Sequence, residues 1–409
     1  MISPLSFWKK SPQPRRVLLF ASATHVWSDL FYAIYAPLLP LIKDDLDLTF
    51  TEVALLKSAY SAASAVLQVP VGFLAEKVGE FWLLVGGNLW VASGIVGMAF
   101  APTFGILLAI TLIGGLGGGT QHPLASGIVS RAYDAKGRST AVGTVNFAGD
   151  LGKMAAPAMA LIVAVVYGWR ATLLVIGIAA IIFFVASIFV RRSVDIGKPA
   201  PIDTQGESAN NVGTVNRGFA ILSVVGFIDS AIRAAALTFV PFILADRGMS
   251  TPQIFAMLFL LLGGGAIGKY VCGWLSERYS TVSLIWITKG LAAAFLFATI
   301  YTPMFAIGPL MVLLGIGLNG TSSVLYATVA TFVPQSRRGR MYGFFYTTNE
   351  FGGFAAPLVF GRLADVFNIR ISMAVMGLFT ATILPVSLAL RKHLIPPTAW
   401  DEFVAEPKA

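Results

Sequence analysis

Asn146-Phe147-Ala148-Gly149-Asp150-Leu151-Gly152-Lys153-Met154-Ala155-Ala156-Pro157 sets an acid and a base three residues apart inside an apolar run from Ala141 to Val166. The spacing puts Asp150 and Lys153 on one helix face. An ionisable group at bilayer depth costs at least about 2.5–3.5 kcal/mol on insertion scales, so it faces a bundle interior or wet cavity and marks a substrate or proton path. Asn349-Glu350-Phe351-Gly352-Gly353-Phe354-Ala355-Ala356-Pro357 repeats the pattern, with Glu350 opposite Asp150. Two i,i+4 pairs, His25 with Asp29 and Asp229 with Arg233, stand in other apolar runs. Two chemistries fit these types. A carboxylate dehydrated in one state and wetted in another takes up and releases a proton, and a planar guanidinium grips a carboxylate or phosphonate through two hydrogen bonds.

Such groups need a scaffold of membrane length. The 409 residues are 56% hydrophobic and 12% charged, with mean hydropathy +0.77, too little polar surface for a soluble chain of this size. Twelve bilayer-length apolar runs lie between 17 and 390, so the expected fold class is an all-α membrane protein of twelve transmembrane helices in two pseudo-symmetric six-helix bundles. The expected organisation is an N-terminal bundle over 1–190, a cytoplasmic linker over 191–217, and a C-terminal bundle with a short tail over 218–409. Asp29 inside the first run and its length argue for a retained helix rather than a cleaved signal. Lys9, Lys10, Arg15, Arg16, Lys77, Arg131, Lys136, Arg138 and the other basic residues of even-numbered loops and the tail outnumber Lys43, Arg170, Arg247, Arg362 and Arg370 on the opposite side. Both termini are therefore expected in the cytoplasm of a multi-pass inner-membrane protein. The net charge of +9 is spread over short loops, which argues against nucleic acid. The single Cys272 excludes an internal disulfide, and the three histidines have no metal-ligand spacing, so neither a metal nor a cofactor is expected. No catalytic triad spacing or nucleotide loop points to an enzyme.

The halves repeat at an offset of 200–201. Asp29 matches Asp229, Pro40 matches Pro241, and Gly72-Phe-Leu-Ala-Glu-Lys-Val matches Gly273-Trp-Leu-Ser-Glu-Arg-Tyr. Internal repeats of this kind point to a transporter whose site lies where the halves meet.

The repeated turn resembles the G-x-L-a-D-R-x-G loop of the major facilitator superfamily, with Gly72, Glu76, Lys77 and Gly79 in one copy and Gly273, Glu277 and Arg278 in the other. The resemblance implies a conformational latch. Glu80 and Phe81 stand where that family has basic residues, and the second copy lacks the last glycine. The run from Leu112 to Arg131, with glycines at 114, 115, 117, 118 and 119 and then His122-Pro123, is similar to the fourth span of fosmidomycin-resistance-type efflux transporters, as is His25-x-x-x-Asp29. In that family an Asn stands where this chain has Asp150, and small residues where it has Lys153. The resemblance implies the major facilitator fold, with spans one, four, seven and ten around a cavity and two, five, eight and eleven flanking it. The glycine run itself reads either as close helix packing or as a gating segment.

The assignments follow. Asp29, His25, Asp150, Glu350 and Asp229 are candidates for proton coupling; Asp29 has no basic residue near it in sequence, whereas Asp150 and Asp229 equally read as structural ion pairs. Arg233 is the leading cation for an anionic substrate, with Lys269 and Lys153 as assistants and His122 as either a ligand donor or a packed polar group. Gln121, Asn146, Asn319, Tyr326, Tyr346 and Asn349 are candidate lining residues, and Tyr346 precedes Glu350 by four as a possible hydrogen-bond partner. Lys289 is expected to reach the surface or pair with a neighbour, and Lys57, near a span end, to reach the surface. The expected function is proton-coupled export of a small polar or anionic compound by a monomer in the lipid bilayer, with uptake of an organic carboxylate as the alternative and a non-transporting sensor as a remote one.

Overall fold

The structure, a computed structural model, describes residues 13–133, 135–194, 217–276, 278–332 and 338–394. Among them there are helices and turns but no strand, as lipid requires: only a helix satisfies its own backbone without water or a closed barrel. The helices are α1 (Gln13–Ala33), α2 (Tyr35–Leu46), α3 (Phe50–Val78), α4 (Glu80–Met98), α5 (Phe104–Gly115), α6 (Gln121–Ala132), α7 (Ala135–Met159), α8 (Val165–Ser187), α9 (Arg191–Val194), α10 (Arg217–Asp246), α11 (Thr251–Leu275), α12 (Thr281–Tyr301), α13 (Ile307–Asn319), α14 (Thr321–Phe332), α15 (Arg338–Val366), α16 (Ile369–Ala381) and α17 (Ile383–Arg391). Against the expectation of twelve spans, nine stretches of the described residues are long and apolar enough to cross a membrane. One of them, Thr140–Val194, has 55 residues, and the 29-residue helices α3 and α15 are not among the nine.

The described residues fall into two compact units, drawn from Met1–Leu48 with Leu55–Gly206, and from Thr49–Ala54 with Glu207–Ala409. Most of the expected linker, 195–216, lies outside the described residues. Each unit shows the same device for joining its first helix to its charged helix. In the first, α1 runs along α7, where a Cβ on Gly152 would stand 2.1 Å from the Val26 carbonyl oxygen and one on Gly149 2.4 Å from Asp29 Oδ2. In the second, α10 runs along α15, and a Cβ on Gly352 would stand 2.6 Å from the Phe227 carbonyl oxygen. These glycines let the backbones touch, which is what small residues do at membrane helix interfaces.

The glycine-rich run of the first unit serves packing. Gly114 meets Gly94 of α4 backbone to backbone, and Leu116–Thr120 tightens into a 3₁₀ turn that lies on Gly87. Beside it Gln121 accepts from Asn88 Nδ2 at 2.9 Å and donates to Thr24 Oγ1 at 3.1 Å, so three buried polar side chains satisfy one another. Pro157 removes one backbone donor from α7, and Ala160–Ala164 follows as a π segment. At the helix ends the repeat shows again: Arg170 pairs with Asp45 in one unit and Arg370 with Asp246 in the other.

Gly152→Val should therefore disrupt the α1–α7 contact, by about 1–3 kcal/mol or more since the obstacle is backbone. Gly86→Ala, with open space around its Cβ position, should be tolerated. The yield of monodisperse protein in detergent checks both.

Candidate functional site

In the first unit the close approach of α1 and α7 gathers five of the predicted residues. Asp29, buried on α1, receives Lys153 Nζ at 2.9 Å on Oδ2, and the same ammonium reaches Asp150 Oδ1 at 3.2 Å. His25 Nε2 lies 3.7 Å from Asp29 Oδ2 and His122 Nε2 3.9 Å from Oδ1. The two imidazoles meet edge to face, with centroids 4.9 Å apart. His25 is buried and its Nδ1 has no hydrogen-bond partner, whereas the His122 side chain is 56% exposed. Asp29 thus has a cation after all, supplied by another helix rather than by its sequence neighbours.

Two carboxylates share one ammonium here, a formal −1 with both imidazoles neutral. His25, Asp29 and His122 also bring potential ligand atoms within 4.8 Å of one another, a grouping that sequence spacing did not show. Lys153 holds Asp29 Oδ2, and Oδ1 is the oxygen that faces His122.

The second unit builds a different cluster around the matching acid. Asp229 Oδ1 lies 2.5 Å from Lys289 Nζ and accepts from Thr321 Oγ1 at 2.9 Å, while Oδ2 accepts from Arg233 at 3.0 Å. Lys289 also donates to the Gly317 and Leu318 carbonyls, each at 2.9 Å, where α13 gives way to α14. Its three N–H donors meet three acceptors. Of the two alternatives for Lys289, pairing with a neighbour is the one observed, whereas Lys57 corrects the expectation of a surface-reaching side chain: it is buried, donates to the Tyr32 carbonyl at 3.0 Å and lies over the Tyr32 ring. Asp229 thus meets two cations, Lys289 and Arg233.

Arg233 remains partly exposed, at 21% of its side chain, and lies within electrostatic range of the Tyr326 hydroxyl together with Glu350. Tyr326 stacks on Tyr346, and Asn349 is buried with its Oδ1 unpaired. Lys269 and Glu350 are half-buried, Asn146 is exposed, and Asn319 is buried, donating within its own helix to Gly315 at 3.4 Å and abutting Gly265.

The sequence model of the Major Facilitator Superfamily matches residues 22–357 and 222–405. The chain belongs to this superfamily. It is 24% identical over 375 residues to the fosmidomycin resistance protein of Escherichia coli strain K12, covering 88% of this chain and 90% of that one. It is 28% identical over 350 residues to a gentisate transporter of Corynebacterium glutamicum, covering 80% and 77%. Among solved structures, a bacterial homologue of the human lysosomal transporter Spinster, in an inward-facing and occupied conformation, matches with TM-score 0.82 at 14% identity over 94% of this chain and 98% of that one. The fold is that of a major facilitator, and the protein is a multi-pass membrane transporter rather than an enzyme.

The superfamily's turn motif is described only in part. The surroundings of Gly72, the side chain of Glu76 and the whole of Glu277 lie outside what the structure describes. Gly79 precedes α4 at φ +92°, a conformation L side chains rarely adopt, and Lys77 is exposed. Gly273 has open space around it, and Arg278 stacks 4.7 Å above Trp274. Glu80, the acid in a position where the superfamily has a base, is buried and paired through both oxygens with Arg131 at the end of α6.

The sequence reading missed Thr321 and the place of Lys289 as counter-ion to Asp229. The signal for the second was a lysine in an apolar run far from any loop. Lys289→Met should cost about 3–5 kcal/mol by stranding Asp229 and two carbonyls, Arg233→Ala should cost less, and Lys289→Met with Asp229→Asn should recover part of the loss. Thermal unfolding of the purified variants in one detergent checks the order.

Proposed function

We propose that the protein is a proton-coupled secondary transporter that exports a small anionic compound across the cytoplasmic membrane by alternating access. The carrying observation is the cluster around Asp29, where Asp29 and Asp150 share the single ammonium of Lys153 beside two imidazoles. Two carboxylates that share one ammonium favour uptake of a proton, and a partly exposed guanidinium such as that of Arg233 favours an anion. The orphaned Nδ1 of buried His25 supports the first role, since no second partner fixes the tautomer of that ring.

In this reading a proton enters at Asp29, His25 or Asp150. Lys153 then shifts its hold toward whichever carboxylate stays ionised, with exposed His122 as the entry to the cluster. Arg233 takes the anion, aided by Lys269, while Lys289 keeps Asp229 neutralised as each cluster opens to one side of the membrane and then the other. Asp229 is then a structural acid, and Glu350 a second proton site. The chain works as a monomer with both termini in the cytoplasm, its bundles spanning 1–190 and 218–409 and the Gly72 and Gly273 turns latching one state.

Export is the direction suggested by the relative named for fosmidomycin resistance. Uptake of an organic carboxylate is the second reading, favoured by the gentisate transporter at 28% identity. An efflux-deficient bacterium expressing the wild type should tolerate fosmidomycin severalfold better than one expressing Asp29→Asn or Arg233→Ala at equal membrane levels. No protection by the wild type turns the test to gentisate flux into proteoliposomes under an imposed pH gradient. Flux that ignores the gradient, or survives Asp29→Asn unchanged, removes the coupling role.

A further inference from the structure

The two units build their opening span differently. In the second, α10 runs unbroken from Arg217 to Asp246 and carries Pro241 inside the helix. In the first, the matching stretch Gln13–Leu46 breaks at Ile34, where α1 ends and α2 begins, although it holds the equivalent Pro40. The shared proline therefore does not make the break. Two residues with no counterpart in the second unit do, since helices kink at a proline or where a side chain enters the ladder. Pro37 has no N–H to give the Ala33 carbonyl, and Lys57 of α3 donates to the Tyr32 carbonyl at 3.0 Å. At offsets of 200 and 201 the second unit has Leu237 or Thr238 for Pro37, and Met257 or Leu258 for Lys57.

Lys57 is built into this place. It is buried, its ammonium lies 3.2 Å from the centre of the Tyr32 ring and 5.6 Å from that of Tyr35, and the Tyr60 ring lies beside both tyrosines. A cation at the last turn of α1 meets the carbonyl end of the helix and the negative pole of its dipole, and the aromatic faces hold it there. Asp29 stands one turn before that end, on the stretch of α1 that Gly149 and Gly152 bring against α7. Beyond the end, Ile34 keeps helical angles (φ −64°, ψ −21°), but the ladder resumes with a long Leu38–Ile34 bond of 3.4 Å. A cavity of about 10 Å³ opens at the break, between Ile34, Tyr35, Leu38 and Ile42 on one side and Ile95 and Met98 of α4 on the other. Packing is tight along α1 and looser at the start of α2.

We propose that Lys57 is a positioning residue that pins the end of α1, so that the first span bends at Ile34 while Asp29 and His25 keep their places against α7. The pinning goes beyond the proton reading above and does not depend on it. Without the ammonium, the last turn of α1 loses its cation, and opening that starts at Ile34 runs back into the turn of Asp29.

Hydrogen–deuterium exchange at the backbone amides of the purified full-length protein in detergent tests this. In the wild type the amides of 35–39 should exchange roughly tenfold faster than those of 235–239 in α10. Lys57→Met should speed exchange over 29–34 by roughly tenfold as well, and Lys57→Arg, whose guanidinium can donate to the carbonyl and stack on the tyrosines, should keep most of the protection. Lys57→Met combined with Pro37→Leu, which places in the first unit the residues found at 257 and 237 of the second, should slow the whole stretch to the rate of α10. Equal exchange of 35–39 and 235–239 in the wild type overturns the hinge. Protection of 29–34 that Lys57→Met leaves unchanged, or that Lys57→Arg loses as fully as Lys57→Met does, overturns the pin. A double variant that exchanges no more slowly than Lys57→Met overturns the assignment of the break to these two residues.

Discussion

A carboxylate inside a helix bundle needs a counter-charge close at hand, because the low-dielectric interior offers no water to replace it. In both units that charge comes from a lysine on a different helix. Lys153 of α7 reaches Asp29 of α1, and Lys289 of α12 reaches Asp229 of α10. Much of the local architecture follows from this requirement. The glycines at 149 and 152 let α1 and α7 approach until the ammonium meets the acid, and Lys289 threads to the α13–α14 junction, where two further carbonyls complete its shell.

The two solutions differ in how completely they neutralise. Lys289 is saturated and fully enclosed, so the Asp229 cluster holds its shape and leaves a partly exposed guanidinium at its edge. Lys153 is divided between two acids, one of which, Asp150, stands where the fosmidomycin-resistance resemblance has an Asn. That additional acid gives the first cluster its formal negative charge. Duplication supplied matching acids, Asp29 with Asp229 and Asp150 with Glu350, and the cations that meet the first pair sit on different helices in the two units.

Substrate choice is a matter of a few contacts, and relatives of 24–28% identity carry the fold without fixing those contacts. Arg233 of α10, the tyrosine stack of α14 and α15, and Glu350 of α15 all belong to the second unit. The first unit has its own feature at Glu80. Where the superfamily has a base, an acid pairs with Arg131 of the same unit, so that turn is tied to α6 by local chemistry.

Composition and apolar run length determined that the chain is a helical membrane protein, since lipid permits few other backbones. The constant offset between Asp29 and Asp229, and between the two Gly72-like turns, made the duplication readable. Short-range spacing likewise gave the His25–Asp29, Asp150–Lys153 and Asp229–Arg233 pairs, because a helix brings i,i+3 and i,i+4 residues together wherever it lies. The offset applied to Asp45 and Arg170 would also have given the Asp246–Arg370 pair. What no spacing could supply was contact between helices far apart in sequence. Lys153 on Asp29, His122 beside His25, Lys289 and Thr321 on Asp229, and the burial of Lys57 all depend on which faces pack. In apolar helices nearly every face is hydrophobic, so the pattern of side chains does not reveal which face turns inward; only backbone approach at small residues and the pairing of buried charge decide it.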